Sequence, residues 1–382
     1  MNHHSFSCQG ESHKYCDKPC QDSSFSCSDN GLSIAIVCDG HGGERYFRSD
    51  IGSKICVRVT ETAIRKFVDS IDRKMFQNKP FTQRKCLNET SSCDKLNDID
   101  NSLRRLFASI ILAWNNEVEE YTTLNPPTEE ERNKVLPKYI DALVNKESLE
   151  KIYGCTLMAY VHTSDFWFAF HLGDGKCISF HDDEDSIWKE PIPWDDKCFL
   201  NKTTSICDSE AIDEFRYCYQ GDGNYPVAVF LGSDGMDDSF GPIENLVDFY
   251  MQIAKLLSNG DESNAIKSIE ETLPILSKRG SQDDMSIAYI FNLEKLKGFV
   301  PTIIKYQIDN LEKELSAVKV KIKQLQDDID LIADSTDPKK VIEKNYAMKD
   351  LEKNNATMEK LNNKVNIRRQ ELETLRENKY DC

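Results

Sequence analysis

The residues with the clearest chemical potential lie in a sharp turn at the end of an apolar segment. Residues 33–43 read SIAIVCDGHGG and place Asp39, the carbonyl of Gly40 and His41 at consecutive positions. Glycines let the backbone approach a ligand closely. Carboxylate and carbonyl oxygens suit a hard cation, and an imidazole beside them can transfer a proton. Because Asp-Gly is also a common hairpin turn, both interpretations stay open at this point.

Three further aspartates, like Asp39, lie in turns or at the ends of apolar segments. Asp234 follows the apolar run 227–232, Asp283 precedes the apolar run 285–291, and Asp174 lies in a Gly-Asp-Gly turn between two short strands. One such residue is ordinary turn chemistry. Four at strand ends indicate carboxylates that converge at one edge of a sheet assembly, where they raise one another's pKa unless a cation is present. The pattern therefore predicts an all-oxygen site for Mg²⁺ or Mn²⁺.

The elements that must position these aspartates are strands and helices in a mixed order. Period-two or continuous apolar runs predict strands, and apolar residues at helical spacing predict helices. The predicted strands are 32–38, 155–162, 166–172, 176–180, 227–232 and 285–291, and the main predicted helices are 44–71, 103–121, 243–257 and 265–276. Residues 5–30 are polar and turn-rich. The polar, aperiodic composition of about 72–101 predicts a loop insertion, and that of about 181–225 predicts a loop-rich subdomain.

The order of these motifs resembles a known family. Asp22, DGHGG at 39–43, GCT at 154–156, GDG at 173–175, SDG at 233–235 and QDDMS at 282–286 resemble the metal-dependent Ser/Thr protein phosphatases of the PPM, or type 2C, family. The opening residues Gly10, Ser12, His13 and 19–22 resemble its bacterial branch, and the likeness covers residues 9–292. It implies an α+β fold: a four-layer α-β-β-α sandwich of two antiparallel sheets flanked by helices, with two metals in a cleft at one end.

The resemblance also assigns roles to individual residues. It implies that Asp39 bridges two metal ions and that the Gly40 carbonyl holds one of them. Asp234 and Asp283 would complete the protein ligands of the other ion.

Three more residues take roles by the same resemblance. Asp174 would contribute with Asp234 to a possible third ion. Asp22 would orient the attacking water, and His41 would protonate the departing alkoxide. Water would attack phosphoserine or phosphothreonine directly, so no phosphoenzyme is expected.

Three positions depart from the family pattern. Gln21 stands where many relatives have Glu, and Asp284 where the usual residue is Asn. Asp17 stands where many relatives have an Arg that fixes the substrate phosphate. Lys14, Lys18 or Arg45 are the candidates to replace that Arg, although Lys lacks its bidentate geometry.

Charge and composition exclude several classes of function. The chain of 382 residues carries a formal net charge of −17, and all of this excess lies in residues 1–298. Such a surface repels phosphate backbones, so we expect no nucleic-acid partner and no anionic membrane. No apolar run approaches the roughly 20 residues of a membrane span, and no export signal precedes the 14 cysteines. Reduced thiols in the cytoplasm are the expectation.

Residues 299–382 have a different character from the rest of the chain. Apolar residues from Ile304 to Ile332 alternate in steps of four and three, which is a heptad pattern. Pro338 begins a second helical segment. We expect an antiparallel coiled-coil hairpin, which serves as a docking or dimerisation arm or packs only on itself.

Two functions from different classes remain at this stage. The first is a Mn²⁺- or Mg²⁺-dependent protein serine/threonine phosphatase with a coiled-coil arm. The alternative is a catalytically weak phosphatase-like module that binds phosphoproteins or acts as a scaffold through the arm. Gln21, the missing Arg and the arm favour the alternative. No GxxxxGK[ST] loop supports nucleotide hydrolysis.

Overall fold

A computed structural model of the chain describes residues 1–85, 96–183, 186–198, 202–333 and 337–377. The described chain divides into two compact units, Met1–Lys297 and Gly298–Cys382. No helix among these residues is long and apolar enough to cross a membrane. The predicted loop insertion at 72–101 contains a short strand, Thr82–Arg84, and its residues 86–95 lie outside the described part.

In the described part of the chain, eleven strands build two sheets, and every strand pair is antiparallel. The strands are β1 (Asn2–Cys8), β2 (Ser23–Asp29), β3 (Leu32–Cys38), β4 (Thr82–Arg84), β5 (Leu157–His162), β6 (Trp167–Leu172), β7 (Lys176–Phe180), β8 (Trp188–Lys189), β9 (Arg216–Gln220), β10 (Ala228–Gly232) and β11 (Met285–Phe291). The first sheet has the order β1-β11-β10-β7-β8, and the second has the order β2-β3-β5-β6-β9-β4.

Helices cover the outer faces of both sheets. The helices are α1 (Glu11–Tyr15), α2 (Ser49–Ser70), α3 (Asp98–Leu124), α4 (Glu129–Lys134), α5 (Pro137–Asn145), α6 (Leu149–Ile152), α7 (Ala211–Glu214), α8 (Asp234–Phe240), α9 (Ile243–Ser258), α10 (Glu262–Arg279), α11 (Leu293–Leu331) and α12 (Pro338–Glu377). Helices α2 and α3 pack on the second sheet, and α8, α9 and α10 lie against the first. The predicted α-β-β-α sandwich is confirmed.

The sequence of β3 shows why the layers form. All seven of its residues are buried. Because successive side chains of a strand point to opposite faces, Ile34 and Ile36 pack toward α2 while Ala35 and Val37 join the apolar layer between the two sheets. A strand that is apolar on both faces therefore occupies the interior of the sandwich, and it carries Asp39 at its end.

The second unit contains most of α11 and all of α12. Glu312 of α11 and Arg369 of α12 form an ion pair of 2.6 Å. At the other end, Lys344 donates to the carbonyl of Ala333 at 3.0 Å. Ile304 and Ile308 pack with Leu372 in one apolar cluster. These contacts give the two helices opposite directions, as in a hairpin.

Candidate active site

The DGHGG turn continues the sheet beyond β3 and is fixed by the segment 154–156. Thr156 donates its backbone N–H to the Asp39 carbonyl at 2.8 Å, and its hydroxyl accepts from the Asp39 N–H at 3.0 Å. A Cβ on Gly40 would lie only 2.5 Å from the Gln21 carbonyl oxygen. Such close backbone approach explains why glycine follows Asp39.

Asp234 and Asp283 reach the same region through the contact of α8 with the loop before β11. A Cβ on Gly235 would lie 2.0 Å from the Asp284 carbonyl oxygen and 3.5 Å from the Asp283 Cβ. The Asp234 and Asp39 side chains hydrogen-bond to each other. The Asp283 side chain is 52% exposed at the edge of the group.

The hairpin that carries Asp174 lies against the end of β10. A Cβ on Gly175 would be 2.5 Å from the Gly232 carbonyl oxygen and 3.4 Å from the Ser233 Cα, one residue before Asp234. The Asp174 carboxylate accepts a hydrogen bond from Thr203. Two strand ends therefore bring Asp174 and Asp234 side by side.

Asp22 is the most deeply buried of the candidate carboxylates, with 4% of its surface exposed. It accepts a hydrogen bond from Ser233. Its Oδ2 atom is buried and has no partner. A buried acceptor without a donor is unfavourable, so this oxygen marks a place where a water or a cation would be stabilised.

Burial and mutual repulsion govern the protonation of the cluster. Burial, and then the charges of Asp234 and Asp22, raise the pKa of Asp39 well above its usual range. Burial, with Asp174 and Asp283, raises the pKa of Asp234 to about 6. Asp39 consequently keeps a proton and donates it to Asp234. Bringing carboxylates together in this way costs free energy that a bound cation would offset.

The side chains do not already form a complete coordination shell. Across the described ranges, no three His, Cys, Asp or Glu side chains are placed so that they could hold a metal ion as they stand. The donor chemistry nevertheless fits a hard divalent ion, because the ligands are oxygens, the carboxylates repel one another and Asp22 Oδ2 lacks a partner. A cation would take the place of the proton between Asp39 and Asp234.

The His41 side chain is held by residues from outside the carboxylate cluster. Its Nε2 is 2.7 Å from the Ser205 hydroxyl, and its ring packs edge-on against Tyr46. Burial lowers the pKa of His41 to about 4, with Asp208 and Lys151 as the charged groups that act on it. The imidazole is therefore neutral at neutral pH. No motif pointed to Ser205, because it belongs to the aperiodic segment 181–225.

The candidate phosphate-binding cations are not equivalent. Lys18 donates to the carbonyl of Gly42 at 3.0 Å and so lies over the turn. Lys14 is paired with Glu11 at 3.9 Å, and Arg45 is exposed in the short 3₁₀ turn Glu44–Tyr46. Asp17, at the place of the family Arg, is 90% exposed and pairs with Lys134. Of these residues, only Lys18 touches the turn.

Gln21 and Asp284 position the N-terminal segment against the site. The Gln21 amide donates to Ser49 Oγ at 2.6 Å and to the His41 carbonyl at 3.2 Å. Asp284 accepts the backbone N–H groups of Gly10 and Gln21, each at 2.6 Å, and lies 2.9 Å from His13 Nδ1. These departures from the family pattern therefore support the turn. His13 belongs to the opening motif but had no role assigned from the sequence, and Ser49 had no signal in the sequence.

Comparison with known proteins identifies the family. The family model described as "Protein phosphatase 2C" matches residues 9–274. The chain belongs to the protein phosphatase 2C family and is a protein serine/threonine phosphatase. The predicted family is confirmed. No curated protein matches the sequence.

Solved structures with a related fold share little sequence with the chain. The PstP catalytic domain in complex with 2 manganese ions is 14% identical, over 75% of this chain and 96% of that chain, with a TM-score of 0.42. PppA of Pseudomonas aeruginosa is 15% identical, over 76% and 96%, with a TM-score of 0.42. RsbX in complex with magnesium is 11% identical, over 75% and 92%, with a TM-score of 0.38. The family model, not these structures, carries the assignment.

The raised carboxylate pKa values predict how stability depends on pH and metal. Because the folded state holds protons that the unfolded state releases near pH 4, the Asp234 carboxyl contributes stability to the metal-free protein that is lost as the pH rises through about 6, the pKa of Asp234. Between pH 5.5 and pH 8 this loss is about 1 kcal/mol in the free energy of unfolding. Buried neutral His41, with its pKa lowered to about 4, contributes in the opposite direction over the same range. Denaturant titrations with EDTA at pH 5.5 and pH 8 therefore measure the Asp234 contribution as the difference between the unmodified protein and Asp234→Asn, and Mn²⁺ should stabilise more at pH 8.

Two variants show whether the pH dependence of stability comes from the carboxylate cluster or from the negative charge of the whole protein. Asp234→Asn should make the EDTA-treated protein gain about 1 kcal/mol more stability between pH 5.5 and pH 8 than the unmodified protein gains, and should reduce the Mn²⁺ response. Asp69→Asn, which removes an exposed carboxylate from α2, should change neither. The same change in stability between pH 5.5 and pH 8 in the unmodified protein and in Asp234→Asn would contradict the electrostatic account.

Proposed function

We propose that the protein hydrolyses phosphoserine and phosphothreonine esters of proteins with two divalent cations, Mn²⁺ or Mg²⁺, and an optional third. The observation that carries the proposal is the hydrogen bond between the Asp39 and Asp234 side chains, inside a buried cluster in which Asp22, Asp174 and Asp283 raise the pKa of one or the other. All-oxygen donors favour hard cations. Bound cations would lower the pKa of a water and stabilise the charge that develops on the phosphoryl oxygens.

In this proposal the chain contributes ligands from three strand ends. Asp39 and the Gly40 carbonyl come from the end of β3, Asp234 from the end of β10 and Asp283 from the start of β11. Asp174, beside Asp234, would hold the optional third ion. The Thr156 contacts keep Asp39 in place, so the ligands are positioned before a substrate arrives.

Asp22 would orient the attacking water. Its Oδ2 has no partner inside the cluster, so it can accept a hydrogen bond from that water while Ser233 donates to the carboxylate. The attack would then occur on the phosphorus atom, without a covalent intermediate on the chain.

His41 would protonate the leaving oxygen. The Ser205 hydroxyl donates to the Cys155 carbonyl at 2.9 Å, so the His41 Nε2 donates to Ser205 and Nδ1 is left as an acceptor. With a pKa of about 4, the free imidazole is a poor acid at neutral pH. The acid role therefore requires that the phosphate dianion of a bound substrate raise this pKa.

Lys18 would take the place of the missing Arg. It lies over the turn, whereas Asp17 is directed to Lys134. Lys18 offers a point charge rather than a bidentate pair of donors, which predicts weaker phosphate binding. Lys14 and Arg45 lack any contact with the turn that would favour them.

The position of Asp17 also supports the second candidate function, a catalytically weak phosphatase-like module. An exposed Asp17 where relatives have Arg favours a weak enzyme that binds phosphoproteins or acts as a scaffold. We propose that residues 1–298 form the phosphatase domain and that 299–382 form a coiled-coil arm for a protein partner or self-association. A cytoplasmic location is part of the proposal, supported by the free thiols of every described cysteine.

Substitution of the central ligands tests the enzymatic function. Asp39→Asn and Asp234→Asn should each lower kcat for a phosphothreonine peptide by at least about a hundredfold, because each removes a charged cation ligand. Turnover by the unmodified protein should require Mn²⁺ or Mg²⁺ and stop with EDTA. Asp69→Asn serves as the matched control. Metal binding without turnover would favour the scaffold function instead.

Lys18 makes a separate prediction about substrate binding. Lys18→Ala should raise KM for the phosphopeptide by roughly tenfold, about 1.4 kcal/mol, with little change in kcat. Lys18→Arg should keep or improve KM because Arg adds a second donor. Steady-state kinetics of Lys14→Ala, the neighbouring control, should show a smaller effect. A larger change in Lys14→Ala than in Lys18→Ala would assign the phosphate contact to Lys14.

A further inference from the structure

Three free thiols meet directly behind the metal-binding turn. Cys38 ends β3, Cys56 belongs to α2 and Cys155 precedes β5, and all three are fully buried in one apolar cluster. Their side chains adjoin one another, since each thiol affects the pKa of the other two. Nothing in the proposed phosphatase chemistry uses them.

The thiols are connected to the proposed cation ligands through the backbone. Cys38 is the residue before Asp39, and Cys155 pairs with Gly40 across an antiparallel bridge. Any covalent link among these thiols must therefore shift the two residues that would bind both ions. Loss of such supporting geometry typically weakens metal binding by about 10–100-fold.

The strand register limits which pair can be linked. Val37 lies opposite Met158 and Gly40 opposite Cys155, so Cys38 and Cys155 occupy diagonal positions of the strand pair. Diagonal positions are about 7–8 Å apart, beyond the separation of about 4.4–6.8 Å that a disulfide needs. Cys56, which approaches from the helix layer, must therefore be one member of the pair.

The environment of Cys56 also makes it the reactive member. Burial alone would raise the pKa of its thiol, but hydrogen bonds from Cys155 and then Cys38 outweigh burial and lower it to about 5. Burial raises the pKa of Cys38 and of Cys155. The thiolate is the nucleophilic form of cysteine, so oxidation begins at Cys56.

We propose that hydrogen peroxide converts Cys56 and Cys155 into a disulfide that displaces the Asp39–Gly40 turn and weakens divalent-cation binding. Only this consequence for the cations rests on the proposed function. Because all three thiols are fully buried, the oxidant must be small and enter during local opening of the turn. A bulky oxidant such as glutathione disulfide should not reach them.

The chemistry proceeds in two balanced steps. The Cys56 thiolate attacks one peroxide oxygen, which forms an S–O bond, breaks the O–O bond and releases hydroxide; the sulfur is oxidised and the peroxide is reduced. The Cys155 sulfur then attacks the Cys56 sulfur of the sulfenic acid. An S–S bond forms, the S–O bond breaks and water leaves with the thiol proton. A thiol reductant reverses the link.

Peptide mapping of the full-length protein tests the site itself. After peroxide treatment and alkylation, mass spectrometry without reductant should show the Cys56 and Cys155 peptides joined and lighter by two hydrogen atoms. Glutathione disulfide should modify the exposed Cys16 and leave Cys56 unmodified. Peroxide-treated protein with no joined peptide, or with Cys56 joined to Cys38, would overturn the proposed pairing.

Calorimetric titration with Mn²⁺ tests the consequence independently of turnover. The oxidised protein should bind Mn²⁺ about tenfold more weakly, and reductant should restore the affinity. Cys56→Ala should remove the peroxide effect, and Cys16→Ser should retain it. Unchanged Mn²⁺ affinity in the linked protein would overturn the inference. If the reduced protein does not bind Mn²⁺ at all, that result would instead contradict the proposed function. Peptide mapping uses the unmutated protein, so it tests the disulfide even if Cys56→Ala fails to fold.

Discussion

Repulsion between carboxylates that the fold forces together is the constraint on which the site depends. Asp39 and Asp234 come from strands of different sheets, and they meet closely enough to share a proton. Asp22 lies beside them with one oxygen unpartnered. A protein gains nothing in stability from such an arrangement, so the rest of the structure must hold it. The cluster is explained most simply by a positive charge that these residues are built to receive.

The structure holds the carboxylates with backbone contacts rather than with long side chains. Glycines at positions 40, 175 and 235 allow three chain segments to approach within distances that a Cβ would prevent. Asp284 gathers the backbone of Gly10 and Gln21 to the loop before β11. Burial would raise the pKa of Asp284, but its hydrogen bonds from His13, Gly10 and Gln21 lower it, so it stays charged beside Asp22, whose pKa burial raises.

The sequence predicted the layers better than the contacts between them. Apolar runs marked β3 and β11, because strands buried on both faces need apolar side chains throughout. Residues 5–30, which include β2 and the end of β1, were predicted only as a polar, turn-rich segment. Ser7 of β1 pairs with Ser24 of β2 across the two sheets at 2.8 Å and with Ser286 of β11 within its own sheet at 2.6 Å. Because serines take the inward-facing positions, these strands lack the alternating apolar pattern from which a strand is predicted.

In the candidate site, too, the ligand residues were predicted from the sequence, whereas the contacts that hold them in place were not. Motif order was enough to select Asp39, Asp174, Asp234 and Asp283, because each follows or precedes a recognisable strand. The contacts of Gln21 with Ser49, of His41 with Ser205 and of Asp284 with Gly10 join residues that are distant along the chain. No local pattern encodes such contacts, and they appear only once the sheets are packed.

Anomalous X-ray diffraction from crystals of the Mn²⁺-loaded protein is the most direct test of a cation site in this acidic cluster. The account predicts two manganese peaks about 3.5–4 Å apart, with the Asp39 carboxylate in contact with both and Asp234 and Asp283 on one of them. Peaks bound to other side chains, or no manganese peak at Asp39 and Asp234 in crystals saturated with Mn²⁺, would contradict it.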